Sequence, residues 1–303
     1  MGALVRGTRG RALPTRVGGD AAPVSRRSAV AYDREVEPAV GRPITPRPAA
    51  AVVAARDTAT GLEVLLLERH VDSPMSPGAY AFPGGRVEAA DSEDGAGRSC
   101  RGLDESAAAA ALRDVTPPRA ALAFWIAALR EAFEETGLLL AYRADGTPFA
   151  PEPPEGPRFT AHRARCRADA AAFLVMLRAE GLTLATDRMA YWARWITPEE
   201  RPLRYDARFF VAASVAAVPV DPDGRETVAC RWLSPTAALE QHRAGAITLP
   251  VPTREILRSI AGAPDVTTLL ETARRREIRS VRPRVVREGG AERILLPGDP
   301  GYF

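Results

Sequence analysis

The stretch Arg130-Glu131-Ala132-Phe133-Glu134-Glu135-Thr136-Gly137 puts three carboxylates into the last turn and a half before a glycine that stops a helix. The C-terminal end of a helix already carries partial negative charge, so each exposed acid there costs on the order of 0.3–1 kcal/mol. A sequence that accepts this penalty three times is compensated by something positive, and a divalent cation is the obvious candidate. With no cysteine or histidine beside the acids, the donor set favours a hard, oxygen-loving ion, Mg²⁺ or Mn²⁺ rather than zinc. Such an ion neutralises phosphate oxygens and lowers the pKa of a bound water, and both effects suit attack on a diphosphate.

The acids need a helix to present them. Pro117-Pro118 precede a helix predicted from about Arg119 to Thr136. At about 100° per residue, Leu122, Trp125, Ile126, Leu129 and Phe133 share one apolar face. Glu131, Glu134 and Glu135 fall in a second arc roughly opposite. Arg130 lies at i,i+4 from Glu134, where it can hold and orient that acid. A second turn-rich stretch, residues 71–86, ends in Phe82-Pro83-Gly84-Gly85.

Other elements follow from pattern. Ala50–Ala55 and Glu63–Glu68 read as strands joined by a turn over Asp57–Gly61, the second apolar on both faces as a central strand should be. Residues 88–118 are acidic and rich in Gly and Ala, a loop with a short helix near Ala107–Leu112. Ala161–Glu180 suggests one helix, Tyr191–Ile196 a strand, Arg208–Val220 a long β-rich run, and Thr227–Trp232 a further strand. Ser234-Pro235 opens a helix by N-cap and first-turn proline. Residues 253–276 are helical with a break at Gly262-Ala263-Pro264, and the tail contains strand-like pieces such as Arg293–Leu296.

Composition narrows the chemistry. The 41 basic residues are all arginine, which excludes a P-loop and any lysine Schiff base. Residues 1–50 hold nine Arg against four acids and residues 273–303 eight against four, so the positive charge sits at the two ends. Gly and Pro interrupt both, which reads as solvated tails, with no nucleic acid expected as partner. No apolar run is long enough for a membrane span, and the Arg-rich start lacks the apolar core of a secretory signal. Cys100, Cys166 and Cys230 form no CxxC pattern and fit free thiols in a reducing, cytoplasmic setting. His70, His162 and His242 are isolated and offer neither triad nor metal pair, and Trp192, Trp195 and Trp232 read as core.

Phe82-Pro83-Gly84-Gly85 followed by Arg130-Glu131-x-x-Glu134-Glu135-x-Gly137 resembles the box of the Nudix hydrolases, in which a glycine, five residues, a glutamate and seven residues lead into Arg-Glu-x-x-Glu-Glu-x-Gly. The second half matches in full. In the first half Asp91 stands where the family carries Glu. Gly85 and Arg130 lie 45 positions apart, about 31 more than the pattern allows, so an insertion follows Asp91 over roughly residues 92–118. An insertion inside the box resembles the coenzyme A diphosphatase-like branch, as does Leu65-Leu66-Leu67-Glu68-Arg69 leading through Pro77-Gly78-Ala79-Tyr80-Ala81 into the glycine loop. Pro74 stands where that branch carries an additional arginine.

The resemblance implies an α/β fold, a Nudix-type α/β/α sandwich around a mixed sheet with helical insertions. It would span residues 48–262, between a flexible basic arm (1–47) and a C-terminal helix with a basic tail (263–303). By that analogy Glu131, Glu134 and Glu135 bind metal and one of them helps activate water, Arg130 positions an acid, and Asp91 supports the loop. Glu226 offers a further metal ligand. Arg69, Phe82, Gly84 and Gly85 would meet the substrate. The implied reaction is metal-dependent hydrolysis of a diphosphate linked to another moiety, with coenzyme A or acyl-coenzyme A favoured. ADP-ribose or a nucleotide sugar, or a non-catalytic ligand-sensing domain, are the alternatives. Neither the oligomeric state nor the identity of the general base follows from sequence.

Overall fold

The computed structural model describes Gly2 and residues 44–214 and 218–302. The basic arm expected over 1–47 lies outside the described residues apart from Gly2 and 44–47. Part of the run expected over Arg208–Val220, residues 215–217, also lies outside them.

Among the described residues there are twelve strands: β1 (Arg47–Thr58), β2 (Gly61–Arg69), β3 (Tyr80–Ala81), β4 (Gly84–Arg86), β5 (Ala141–Tyr142), β6 (Thr183–Leu184), β7 (Met189–Ile196), β8 (Tyr205–Ala213), β9 (Thr227–Leu233), β10 (Ser280–Val281), β11 (Arg284–Glu288) and β12 (Ala291–Leu295). The same residues form seven α-helices: α1 (Glu105–Ala111), α2 (Pro118–Thr136), α3 (Gly156–Ala168), α4 (Ala171–Glu180), α5 (Pro235–Arg243), α6 (Val251–Ile260) and α7 (Val266–Arg275).

The main sheet runs in the order β10-β7-β8-β1-β2-β3, with β4 also on β1 and β9 also on β2. It is mixed, because β1 with β8 and β7 with β10 pair parallel while the others are antiparallel. Side chains alternate across the pleat. Ala50, Val52, Ala54, Leu65, Leu67 and Phe210 face one core, which contains α2 and the apolar residues of α3 and α4. Ala51, Val53, Ala55, Val64, Leu66 and Phe209 face the other, shared with Ile256, Leu257, Ile260, Leu269 and Leu270 of α6 and α7. Helices thus cover both faces of a mixed sheet, the α/β/α sandwich expected.

The β1–β2 turn closes where predicted, with Thr58 opposite Gly61. Helix α2 starts with proline in its first turn and ends at Gly137, whose φ of 75° is the left-handed cap a glycine tolerates. Its Gly137 N–H reaches Phe133 O at 2.9 Å. The two-faced picture of this helix is incomplete. Ala121, Ala123, Ala127, Ala128 and Ala132 are buried as well, so α2 is enclosed almost all round and its acids look into a cleft, not bulk water.

The single helix expected over Ala161–Glu180 is two. Asp169 is extended and its Oδ1 accepts from Ala171 N–H at 3.0 Å, an aspartate turn that ends α3 and starts α4. The inserted segment after Asp91 is docked by its backbone: Arg101 N–H donates to Leu184 O at 3.0 Å, and Thr186 Oγ1 donates to Arg101 O at 2.7 Å. In the tail, β10 extends the sheet beyond β7 and β11–β12 make a hairpin, which Glu292 ties to Arg201 at 2.8 Å. Among the described residues no helix is long and apolar enough to cross a membrane.

Candidate active site

Strand β4 brings the glycine loop to the carboxylate helix. Gly84 and Gly85 pair with Ala51 and Ala50 of β1, so Gly85 shares the α2 face of the sheet with Ala50. A Cβ on Gly85 would stand 2.5 Å from the Glu131 carboxylate, and one on Gly84 would stand 2.5 Å from Ala50 O. Both close approaches need glycine. Gly84 N–H also donates to Glu135 Oε2 at 2.9 Å, which pins loop to helix.

Arg130 organises the acids. Its Nε donates to Asp91 Oδ1 at 2.8 Å and its Nη2 to Asp91 Oδ2 at 3.1 Å, a two-point pair at 2% and 1% exposure. Nη2 also donates to Arg86 O at 2.8 Å. Nη1 bridges Glu131 Oε1 at 3.0 Å and Glu134 Oε1 at 3.1 Å. Burial alone would push the guanidinium towards losing its proton, but Asp91 and the two glutamates outweigh it and hold its pKa above the ordinary value. Asp91 reaches this place because it lies in the short helical turn Ala89–Ser92, where its Oδ2 caps Glu88 N–H at 2.8 Å.

The acids themselves are held away from their ordinary ionisation. Burial, opposed by Arg130 and reinforced by Glu134, raises the Glu131 carboxyl to about 7. Burial also raises Glu134 despite Arg130. Glu135 is pushed well up, by burial and then by the nearby Glu131 charge, against the Gly84 N–H and Arg69. Crowded, desolvated anions of this kind accept a cation readily.

Beside them opens a cavity of about 1040 Å³, lined by Arg69, Gly84, Gly85, Arg130, Glu131, Glu134 and Glu226 among others. No residue of 91–118 is on its wall, so the insertion leaves the entrance clear. Glu135 lies just behind, 7% exposed. Glu226 stands exposed on the loop opposite; its backbone O accepts from His70 N–H at 2.8 Å, which places it next to the end of β2 that carries Arg69. Arg69 is half-buried, its guanidinium held by Ser73 Oγ and Met75 O. Phe82 touches the cavity but is 5% exposed and stacks edge-on against Phe209, so most of its surface belongs to the core.

Sequence reasoning missed several residues. Arg163 of α3 donates from Nε to Glu134 O and from Nη2 to Asp221 O, both at 2.9 Å, joining the carbonyl end of α2 to the loop that carries Glu226. Asp223 shapes that loop by accepting from the N–H groups of Arg225, Glu226 and Thr227 with one oxygen. Asp223 sits in the turn-forming sequence Asp221-Pro222-Asp223-Gly224, a local signal for its role, whereas nothing local signals Arg163. The thiols of Cys100, Cys166 and Cys230 are free and pushed by burial to about 12, too weakly acidic to serve as nucleophiles.

The donor chemistry fits a hard divalent cation: carboxylates only, crowded, partly desolvated and facing an open cavity. Among the described residues no three acidic, thiol or imidazole side chains already converge on one point.

Residues 39–258 match the family model described as the NUDT19 Nudix domain. The chain belongs to the Nudix hydrolase family. It is 31% identical over 277 residues to the human protein named acyl-coenzyme A diphosphatase NUDT19, covering 81% of this chain and 73% of that one. A chicken protein of the same name is 31% identical over 225 residues, covering 63% and 58%. A Nudix hydrolase crystal structure from Alicyclobacillus acidocaldarius superposes with a TM-score of 0.60 at 26% identity, covering 75% of this chain and 96% of that one. Nudix hydrolases cleave diphosphate linkages and generally need divalent metal ions, so this Nudix chain is a diphosphate hydrolase.

Proposed function

We propose that this Nudix hydrolase cleaves the diphosphate of coenzyme A and its acyl derivatives, releasing an adenosine bisphosphate and a phosphopantetheine product. The observation that carries the reading is the carboxylate set of Glu131, Glu134 and Glu135 beside an open cavity rimmed by arginines, in a chain similar to proteins named acyl-coenzyme A diphosphatase. Glu131, Glu134 and Glu135 would hold Mg²⁺ or Mn²⁺, with Glu226 able to add a ligand from the opposite loop. When bound, the ion supplies charge for the phosphate oxygens and acidifies water.

The chain's own groups do the rest. Arg130, locked by Asp91, fixes the directions of Glu131 and Glu134. One carboxylate of the set takes the proton from the attacking water. Gly84 and Gly85 keep the loop thin enough for a diphosphate to lie against the helix, and Arg69 faces the leaving phosphate. Free thiols, Cys166 buried and Cys100 and Cys230 part-buried, fit a reducing cytoplasm. The test is a turnover screen with Mg²⁺ and with chelator, comparing coenzyme A, decanoyl-coenzyme A, ADP-ribose and a nucleotide sugar. Coenzyme A compounds should turn over at least tenfold faster at equal concentration; preferential cleavage of ADP-ribose or the sugar would sink the assignment while leaving diphosphate hydrolysis intact.

A further inference from the structure

Three carbonyls at the end of the carboxylate helix are answered from outside it. A helix leaves its last four C=O groups without donors of its own. Of these, Phe133 O takes Gly137 N–H. Glu134 O accepts from Arg163 Nε at 2.9 Å, Thr136 O from Asp221 N–H at 2.9 Å, and Glu135 O from Thr227 Oγ1 at 3.4 Å. The donors come from α3 and from the 221–227 loop, which carries Glu226.

Arg163 links the two. Its Nη2 donates to Asp221 O at 2.9 Å, so one guanidinium holds helix end and loop together. On α3 it lies four residues after Phe159 and three before Cys166, the two buried residues of that helix. That is a place on the inward stripe where an apolar side chain ordinarily sits. Arg167, one turn on, donates to the same loop at Asp223 O, 3.5 Å away. Asp223 in turn accepts from Glu226 N–H, and Glu226 O accepts from His70 N–H at 2.8 Å. The backbone of Glu226 is therefore held through both its polar groups, while its side chain stays exposed on the wall of the cavity that Glu134 also lines. Burial is the main cause that raises the Glu134 and Glu135 carboxyls, and the Glu226 charge adds to both, so it lies within electrostatic reach of them.

Resting on the metal reading of this site, we propose that Arg163 is a positioning residue: by tying the 221–227 loop to the carbonyl end of α2, it keeps Glu226 within reach of the ion held by Glu131, Glu134 and Glu135, and so sets how tightly that ion binds. The helix alone offers carboxylates from one side. A loop acid already ordered before the ion arrives adds an anionic oxygen without a further entropy loss. Charge alone predicts the opposite sign. Removing a cation from the neighbourhood of the acids favours an added divalent ion by Coulomb attraction, so weaker binding without Arg163 is the mark of lost position.

The experiment is calorimetric titration of Mn²⁺ into full-length protein freed of metal by chelator and dialysis. Wild type, Arg163→Gln, Glu226→Gln and the double variant are compared, with circular dichroism confirming each fold. Arg163→Gln should weaken Mn²⁺ binding by on the order of tenfold, the usual effect of removing a residue that orients a metal ligand, and Glu226→Gln at least as much. The double variant should stay within about twofold of Glu226→Gln alone, because Arg163 acts through that acid. Unchanged or tighter binding in Arg163→Gln, unchanged binding in Glu226→Gln, or losses that multiply in the double variant overturn the proposal. Should Arg163→Gln fail to fold, Arg163→Met, which keeps the packed stem, carries the same cycle. A wild type that binds no Mn²⁺ sinks the metal reading and this proposal with it, whereas wild-type binding with any of the contrary variant results sinks this proposal alone.

Discussion

Arg130 grips Asp91 across 39 positions of sequence through two parallel hydrogen bonds of 2.8 Å and 3.1 Å, both partners almost wholly buried. The pair closes in space the motif that the insertion opens in sequence. It leaves Nη1 for Glu131 and Glu134, so the geometry of the acids depends on an aspartate that hydrogen-bonds to neither of them.

Removing one partner should therefore be severe. Asp91→Ala takes the two-point acceptor from a buried guanidinium and leaves its Nε without a partner, and a broken buried ion pair costs about 3–5 kcal/mol. Denaturant unfolding should show a loss of that order. A change below about 1 kcal/mol would mean that the pair contributes little to the fold.

The two glycines of the loop should separate structure from activity. In Gly85→Ala the new Cβ meets the tip of the Glu131 side chain, which can swing aside, so the protein folds but turnover falls on the order of tenfold or more, since displaced catalytic geometry is costly. In Gly84→Ala the Cβ meets Ala50 O and the Ala51 backbone, which cannot. The melting temperature should drop clearly in the second and little in the first. The reverse ranking would contradict the placement of β4.

The acids set a pH dependence with a definite sign. Burial raises Glu131, Glu134 and Glu135 above their ordinary values, Glu131 to about 7. A carboxyl with a raised folded-state pKa contributes its stability fully below the unfolded value and loses it as pH rises through the folded value. Metal-free protein should lose stability from about pH 4.5 to pH 7, and Mg²⁺ should flatten that loss because an ion replaces the protons. Thermal melts at pH 5 and pH 8, with and without Mg²⁺, check this. Metal-free protein that gains stability across the interval would refute it.

What could be seen from sequence was local. Helix α2, its glycine stop and its acids share one window of residues, so spacing and cap chemistry sufficed. The β1–β2 hairpin and the Ser234 cap were legible for the same reason. The Arg130–Asp91 pair was approachable only through the resemblance, because an insertion of undetermined path separates the partners. The split between α3 and α4 escaped because Asp169 ends a helix through its own side chain, not through Gly or Pro. Trp195 read as core, and at 6% exposure it is core, yet it also walls the cavity.

The most direct test of the carboxylate chemistry is steady-state hydrolysis of coenzyme A with Mg²⁺ by the wild-type protein and by Glu134→Gln and Glu135→Gln. Each substitution keeps shape while removing a metal-binding, proton-accepting oxygen. Folded variants should lose turnover by on the order of a hundredfold or more, and chelator should abolish it in the wild type. Full turnover in both variants, or in chelator, would place the reaction somewhere other than these residues.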